Sequence, residues 1–193
     1  MIMMLMVLGL AAVVLGQTYQ VLLPKFAAET LRVPASGLGL LMAVIALGSF
    51  VGHGVVVNFK PGAPLGRWMF VLGIMSGVSL IALAWTRGIY LALGALFLTG
   101  LTGGPFFTIN QTLVQRLSPV EIRGRVLSLW MLTWSAMPLG TLGFSALGDR
   151  IGLWFPMTLG GASLALVMLV VFLGYPALLR VSGDTESSPT GRV

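Results

Sequence analysis

The chain has 193 residues, of which 57% are hydrophobic and only 8% charged, with a formal net charge of +6 and a mean hydropathy of +1.00. Soluble domains carry about 25% charged residues, so a water-exposed globular core is excluded. The basic residues fall in loops between apolar runs and form no stripe, which argues against nucleic acid as a partner, and zero cysteines exclude disulfides and thiolate metal sites.

A helix of roughly 20 apolar residues spans the hydrocarbon layer of a bilayer. Six such stretches follow one another, so the expected fold class is an all-α membrane protein with six transmembrane helices. The first, Met1–Leu23, has no Lys or Arg ahead of it and is longer than a signal-peptide core. It reads as a span that opens in mid-hydrophobe, as in a chain cut from something larger. Its outer end carries Gln17, Thr18, Tyr19 and Gln20, with Gln17 and Gln20 on one face. The second, Gly37–Val57, follows Pro34 and a capping Ser36, and holds Gly48-xxx-Gly52 and the single histidine, His53. One such ligand makes no metal site, so His53 is expected to be packed or interfacial. The third, Trp68–Trp85, holds Gly73-xxx-Gly77 and is expected to end at Gly88.

The fourth, Ile89–Val114, contains Gly100-xxx-Gly104, Pro105 and the cluster Asn110, Gln111, Thr112, with Gln115 one turn below. Next, Ser118-Pro119-Val120-Glu121 reads as a capping box, so a helix is expected from Pro119 into the fifth span, Val126–Leu147. That span contains Pro138, and its Trp130 and Trp134 share a face, lining an apolar path or simply packing. The sixth runs Gly152–Tyr175. Residues 1–180 thus form one bundle, and the tail 181–193 lacks apolar residues to bury and is expected to be disordered.

Apolar burial cannot drive helices together in lipid, so the three glycine pairs are expected at close helix contacts. Pro105 and Pro138 invite kinks, which suit gating but also occur in static bundles. No Asp, Glu, Lys or Arg sits centrally in any span, so the chain supplies no obvious proton-coupling acid. The amides are too costly to leave in hydrocarbon. They line an aqueous cavity or act as interhelical glue. Trp68, Trp85 and Trp154 fall at span ends as interface anchors. No phosphate loop, hydrolytic triad or metal cluster is visible, so no cofactor and no enzymatic chemistry are expected.

Lys60, Arg67, Arg116, Arg123, Arg125, Arg180 and Arg192 fall on the side of the termini, against Lys25, Arg32, Arg87 and Arg150 on the other. The bias places both termini in the cytoplasm and the protein in a cell inner or plasma membrane.

The run Asn110-Gln111-Thr112-Leu113-Val114-Gln115-Arg116-Leu117-Ser118-Pro119-Val120-Glu121-Ile122-Arg123-Gly124-Arg125-Val126 resembles the junction between the tenth and eleventh helices of major facilitator superfamily transporters. The nearest branch holds siderophore exporters, such as enterobactin exporters, and macrolide-efflux-like pumps. Gly148-Asp149-Arg150-Ile151-Gly152 is similar to the turn after that branch's eleventh helix, and Ala35-Ser36-Gly37-Leu38-Gly39-Leu40-Leu41 to the start of its eighth. The resemblance implies the C-terminal six-helix half of a twelve-helix protein. The halves Met1–Gly88 and Ile89–Val193 would then be a 3+3 inverted repeat. It further implies Gln17, Tyr19, Gln20, Asn110, Gln111 and Trp134 as substrate-cavity residues, and Glu121, Arg123, Arg125, Asp149 and Arg150 as conformational loop residues. The loop Asn58–Arg67 keeps Gly66-Arg67 but lacks the acid of the family's loop motif. The implied function is efflux of a hydrophobic or amphipathic small molecule, antiporter-like, by alternating access. The implied partners are the bilayer, the substrate, and an N-terminal half or a second copy. The alternative is a non-transporting membrane fragment or assembly partner, inactive without an N-terminal half.

Overall fold

A computed structural model describes residues 1–60 and 62–175. The expected disordered tail lies outside those residues. Among them the chain is built of helices: α1 (Ile2–Ala11), a π-helical turn (Ala12–Gly16), α2 (Thr18–Glu29), α3 (Ala35–Val57), α4 (Leu65–Trp85), α5 (Ile89–Leu117), α6 (Arg123–Trp134), α7 (Met137–Ile151) and α8 (Trp154–Gly174). Five runs are long and apolar enough to cross a membrane: Ile2–Glu29, Ser36–Val57, Leu65–Trp85, Ile89–Leu117 and Trp154–Gly174. That is the signature of a membrane protein.

The helix ends follow local chemistry. Asn58 turns its side-chain amide back to Gly54 O (2.7 Å) at the end of α3, and Thr86 Oγ1 donates to Leu83 O (2.7 Å) at the end of α4. Gly152, at φ 101°, ends α7 in a backbone conformation that favours glycine. Gly88 precedes α5 instead of closing α4, and α3 starts at Ala35 with Pro34, not Ser36, as its N-cap. The expected capping box does not form. Ser118 Oγ donates backwards to Val114 O (2.6 Å), closing α5. Pro119 O then accepts from Ile122 N in a tight turn, and α6 begins only at Arg123.

Two expected spans are interrupted. The first is longer than expected, reaching Glu29, and contains the π turn and a bend at Gln17. The fifth is two helices, because the ladder tightens at Ser135 and Ala136, whose N–H groups bond three residues back to Leu132 O and Thr133 O. Pro138 lies just beyond, where it removes the donor for Trp134 O. α1 packs against α6 and α2 against α7, so the interrupted runs lie side by side in the same direction. At their shared end Lys25 pairs with Asp149 and, at 3.8 Å, with Glu29.

The other helices pair as α3 with α5, α4 with α5, and α4 with α8. Small residues permit this. Gly48 and Gly52 of α3 lie against the carbonyls of Phe97 and Leu101 on α5, and Gly100 lies against Ile45 O on α3, each too near for a Cβ. Gly77 and Gly161 do the same for α4 and α8, where a Cβ on either would meet the other's carbonyl at 2.6 Å. Such approaches let Cα–H groups contact carbonyl oxygens across the interface. Pro105 leaves α5 unbroken, although it deprives Leu101 O of its helical donor. Gly52 closes on that same oxygen. Two apolar clusters fill the bundle: one around Leu22, Phe26, Leu41, Leu83 and Leu96, the other around Leu5, Leu8, Phe70, Phe106 and Leu113.

Candidate functional site

Between the two clusters the bundle holds polar groups. The sequence supplies them as isolated Ser, Thr and amide residues on apolar helices, so they bond to one another or to nearby carbonyls. Ser79 Oγ lies 3.0 Å from Thr99 Oγ1, joining α4 to α5. His53 Nδ1 lies 2.6 Å from Ser49 O, an acceptor, so this nitrogen carries the proton. Nε2 lies 2.9 Å from Thr108 Oγ1, a contact that joins α3 to α5. His53 is thus a packed, interhelical residue.

A cleft of about 220 Å³ opens at this level. Its polar wall carries Gln17 and Gln20, whose side chains bond to each other at 2.6 Å, with Ser49, Ser76 and Thr99 opposite. Its aromatic wall is Phe106, Phe107 and Trp134; the Phe107 and Trp134 rings are 5.0 Å apart. Its floor is made of small residues, including Gly100, Gly103 and Gly104. Among the described residues, no charged side chain lines it. A groove of about 320 Å³ between α2 and α3 continues from it, sharing Gln20, Ile45 and Ser49.

The backbone interruptions lie at this cleft. Gly16 and Gln17 end the π turn on one side, and Trp134 ends α6 on the other. The carbonyls loosened by the π turn are met by glycines: a Cβ on Gly140 of α7 would lie 2.6 Å from Val14 O, and one on Gly160 of α8 would lie 2.7 Å from Leu15 O. Thr18 Oγ1 also donates to Val14 O (2.6 Å). A π turn inside an α-helix commonly marks a functional position.

Of the residues expected at a cavity, Gln17, Tyr19, Gln20 and Trp134 come together here. Asn110 does not. It is fully buried, donating to Leu5 O (3.0 Å) and accepting from Trp130 Nε1 (2.9 Å). Its amide braces α1, α5 and α6, the interhelical role, because both ends find partners inside the protein. Gln111, next on α5, is half-buried and apart from the cleft lining. Glu121, Arg123 and Arg125 are exposed around the α5–α6 turn and join no ion pair among the described residues. Arg150 is exposed beside Asp149 at the opposite end. Ser49, Ser76, Thr99, Phe106 and Phe107 escaped the sequence reading. Ser49 lies one helical turn from His53 and Thr99 next to Gly100, and that spacing is the signal that would have found these two.

Neither the family models nor the curated proteins contain a match to this chain.

Proposed function

We propose that the chain is one half of a transporter of the major facilitator type, moving a hydrophobic or amphipathic small molecule across a cell membrane by alternating access. In this reading α6 and α7 together make one crossing, giving six in two groups of three. The cleft is this half's share of a central site, and a facing half, or a second copy, supplies the rest.

The observation that carries the proposal is the cleft itself, uncharged and lined by paired amides and aromatic rings where two interrupted helices meet. Discontinuous helices beside a midplane site are the usual construction of secondary transporters. The volume is below the roughly 300–1,000 Å³ of a complete small-molecule site, as a half-site would be. Two amides, four hydroxyl side chains and an aromatic wall offer hydrogen bonds and stacking but no ion pair. A substrate with a compact polar group on an apolar body suits that wall, whereas a small polyanion or polycation does not.

The test is transport of amphipathic dyes by everted vesicles containing the chain with its partner half. Gln17→Ala with Gln20→Ala is expected to lower the initial rate about tenfold at unchanged protein level, the effect of losing roughly 1.4 kcal/mol of recognition. Trp134→Phe is expected to remove most ligand quenching of tryptophan fluorescence. Unchanged transport and quenching in all variants would refute the assignment.

A further inference from the structure

At the end of the bundle where α2 and α7 terminate lies a second, larger opening of about 480 Å³, unconnected to the cleft by any shared residue. Glu29 at the end of α2 and Arg87 in the α4–α5 connection both line it. They do not pair with each other. Glu29 is 3.8 Å from Lys25, which is held more closely by Asp149, and Arg87 joins no ion pair among the described residues. Two indoles also line it: Trp85, the last residue of α4, and Trp154, the first of α8. Their ring centroids are 5.7 Å apart and their planes are inclined at 57°.

A carboxylate and a guanidinium that line one cavity without neutralising each other can contact separate charges of one ligand. An indole favours a cation over its face, and a guanidinium matches a phosphate oxygen pair. We propose that this opening holds the headgroup of a zwitterionic phospholipid. Glu29 and the two indoles receive the ammonium, and Arg87 receives the phosphate. The position selects a lipid over a free zwitterion. The opening lies at the ends of α2, α4 and α8, and tryptophans at helix ends sit at the headgroup level of a bilayer. Exposed apolar side chains further along α8, such as Leu159, Leu166 and Leu169, offer a surface for acyl chains. The inference requires only that the bundle sit in a membrane, and is independent of any transport role.

The experiment is native mass spectrometry and thermal melting of the full chain in detergent. The probes are dioleoyl phosphatidylethanolamine, dioleoyl phosphatidylcholine, dioleoyl phosphatidylglycerol and soluble O-phosphorylethanolamine. Both zwitterionic lipids are expected to stay bound and raise the melting temperature, while phosphatidylglycerol, which lacks the ammonium, binds about tenfold more weakly, as for one lost charge-assisted contact. Glu29→Gln should remove the preference over phosphatidylglycerol. Arg87→Gln should weaken all three lipids. Both side chains are exposed, so both variants should fold, and their lipid-free melting temperatures verify this. Equal retention of all three lipids by the unaltered chain, or unchanged retention in both variants, would overturn the proposal. Equal protection by soluble O-phosphorylethanolamine would also overturn it, by assigning the opening to a free zwitterion.

Discussion

Asn110 illustrates how one side chain's role depends on what its two polar ends find. With Leu5 O on one side and Trp130 Nε1 on the other, it couples three helices at a depth where water is excluded. Interhelical hydrogen bonds in membrane bundles are worth about 0.6–2 kcal/mol each. Asn110→Ala removes both and leaves the indole N–H without its acceptor, so the melting temperature in detergent should fall clearly. Trp130→Phe, which removes only one bond, should lower it less. If Asn110→Ala melts as the unaltered protein does, the bracing role is wrong. The sequence could say that this amide needs a partner, because an unpaired amide in hydrocarbon is costly. It could not say whether the partner was water in a cavity or a carbonyl 105 residues away, since that depends on how α1 lies against α5. Gln17 and Gln20 were legible because their shared face follows from helical spacing alone. Ser118 was misread for a related reason. A serine hydroxyl before a proline can cap the helix ahead or close the one behind, and here it bonds Val114 O.

At the scale of helices, the glycine pairs decide which neighbours each helix can have. Gly48, Gly52 and Gly100 touch backbone of the facing helix, so a side chain there has no flexible group to displace. Gly54 and Gly94 lie on the same two helices with open space where a Cβ would go. Gly52→Leu and Gly100→Leu should therefore abolish recovery of folded protein from detergent extraction. Gly54→Leu and Gly94→Leu should leave yield and melting within about 0.5 kcal/mol of the original, as for exposed sites. A loss of folding in all four would show that glycine content, and not these contacts, is what matters. Helix existence was plain from apolar run length, because a bilayer imposes it. The break before Pro138 was announced by that proline, whereas the π turn in Ala12–Gly16 has no proline or polar residue to announce it. What meets it is tertiary: Gly140 and Gly160 stand where the loosened carbonyls emerge.

For the whole molecule, the question is how α6 and α7 lie in the bilayer. Each alone is shorter than the helices able to cross, yet they run end to end beside α1 and α2. If they make one crossing, Val120 and Asp149 lie on opposite faces of the membrane. Cysteine introduced at Ser36 or Asp149 should then react with an impermeant maleimide from outside intact cells, and cysteine at Val120 only after permeabilisation. Asp149 and Val120 reacting from the same face would remove the sixth crossing and, with it, the transporter reading. The loop charges gave the direction of this expectation, because lysine and arginine are retained on the cytoplasmic side. Helix pairing was beyond them, since it is written in contacts between distant segments.

The adjacency of the two interruptions has a mechanical consequence. A regular helix resists bending through its successive backbone bonds, and these are weakened at residues 12–17 and at 135–136. Because those stretches are neighbours, the bundle has a crease. Asn110 rivets α1 and α6 to α5, which keeps its glycine seams, so tilting about the crease would swing α2 and α7, linked by Lys25 and Asp149. The wall of the small uncharged cleft that would move is the one carrying Tyr19 and Gln20.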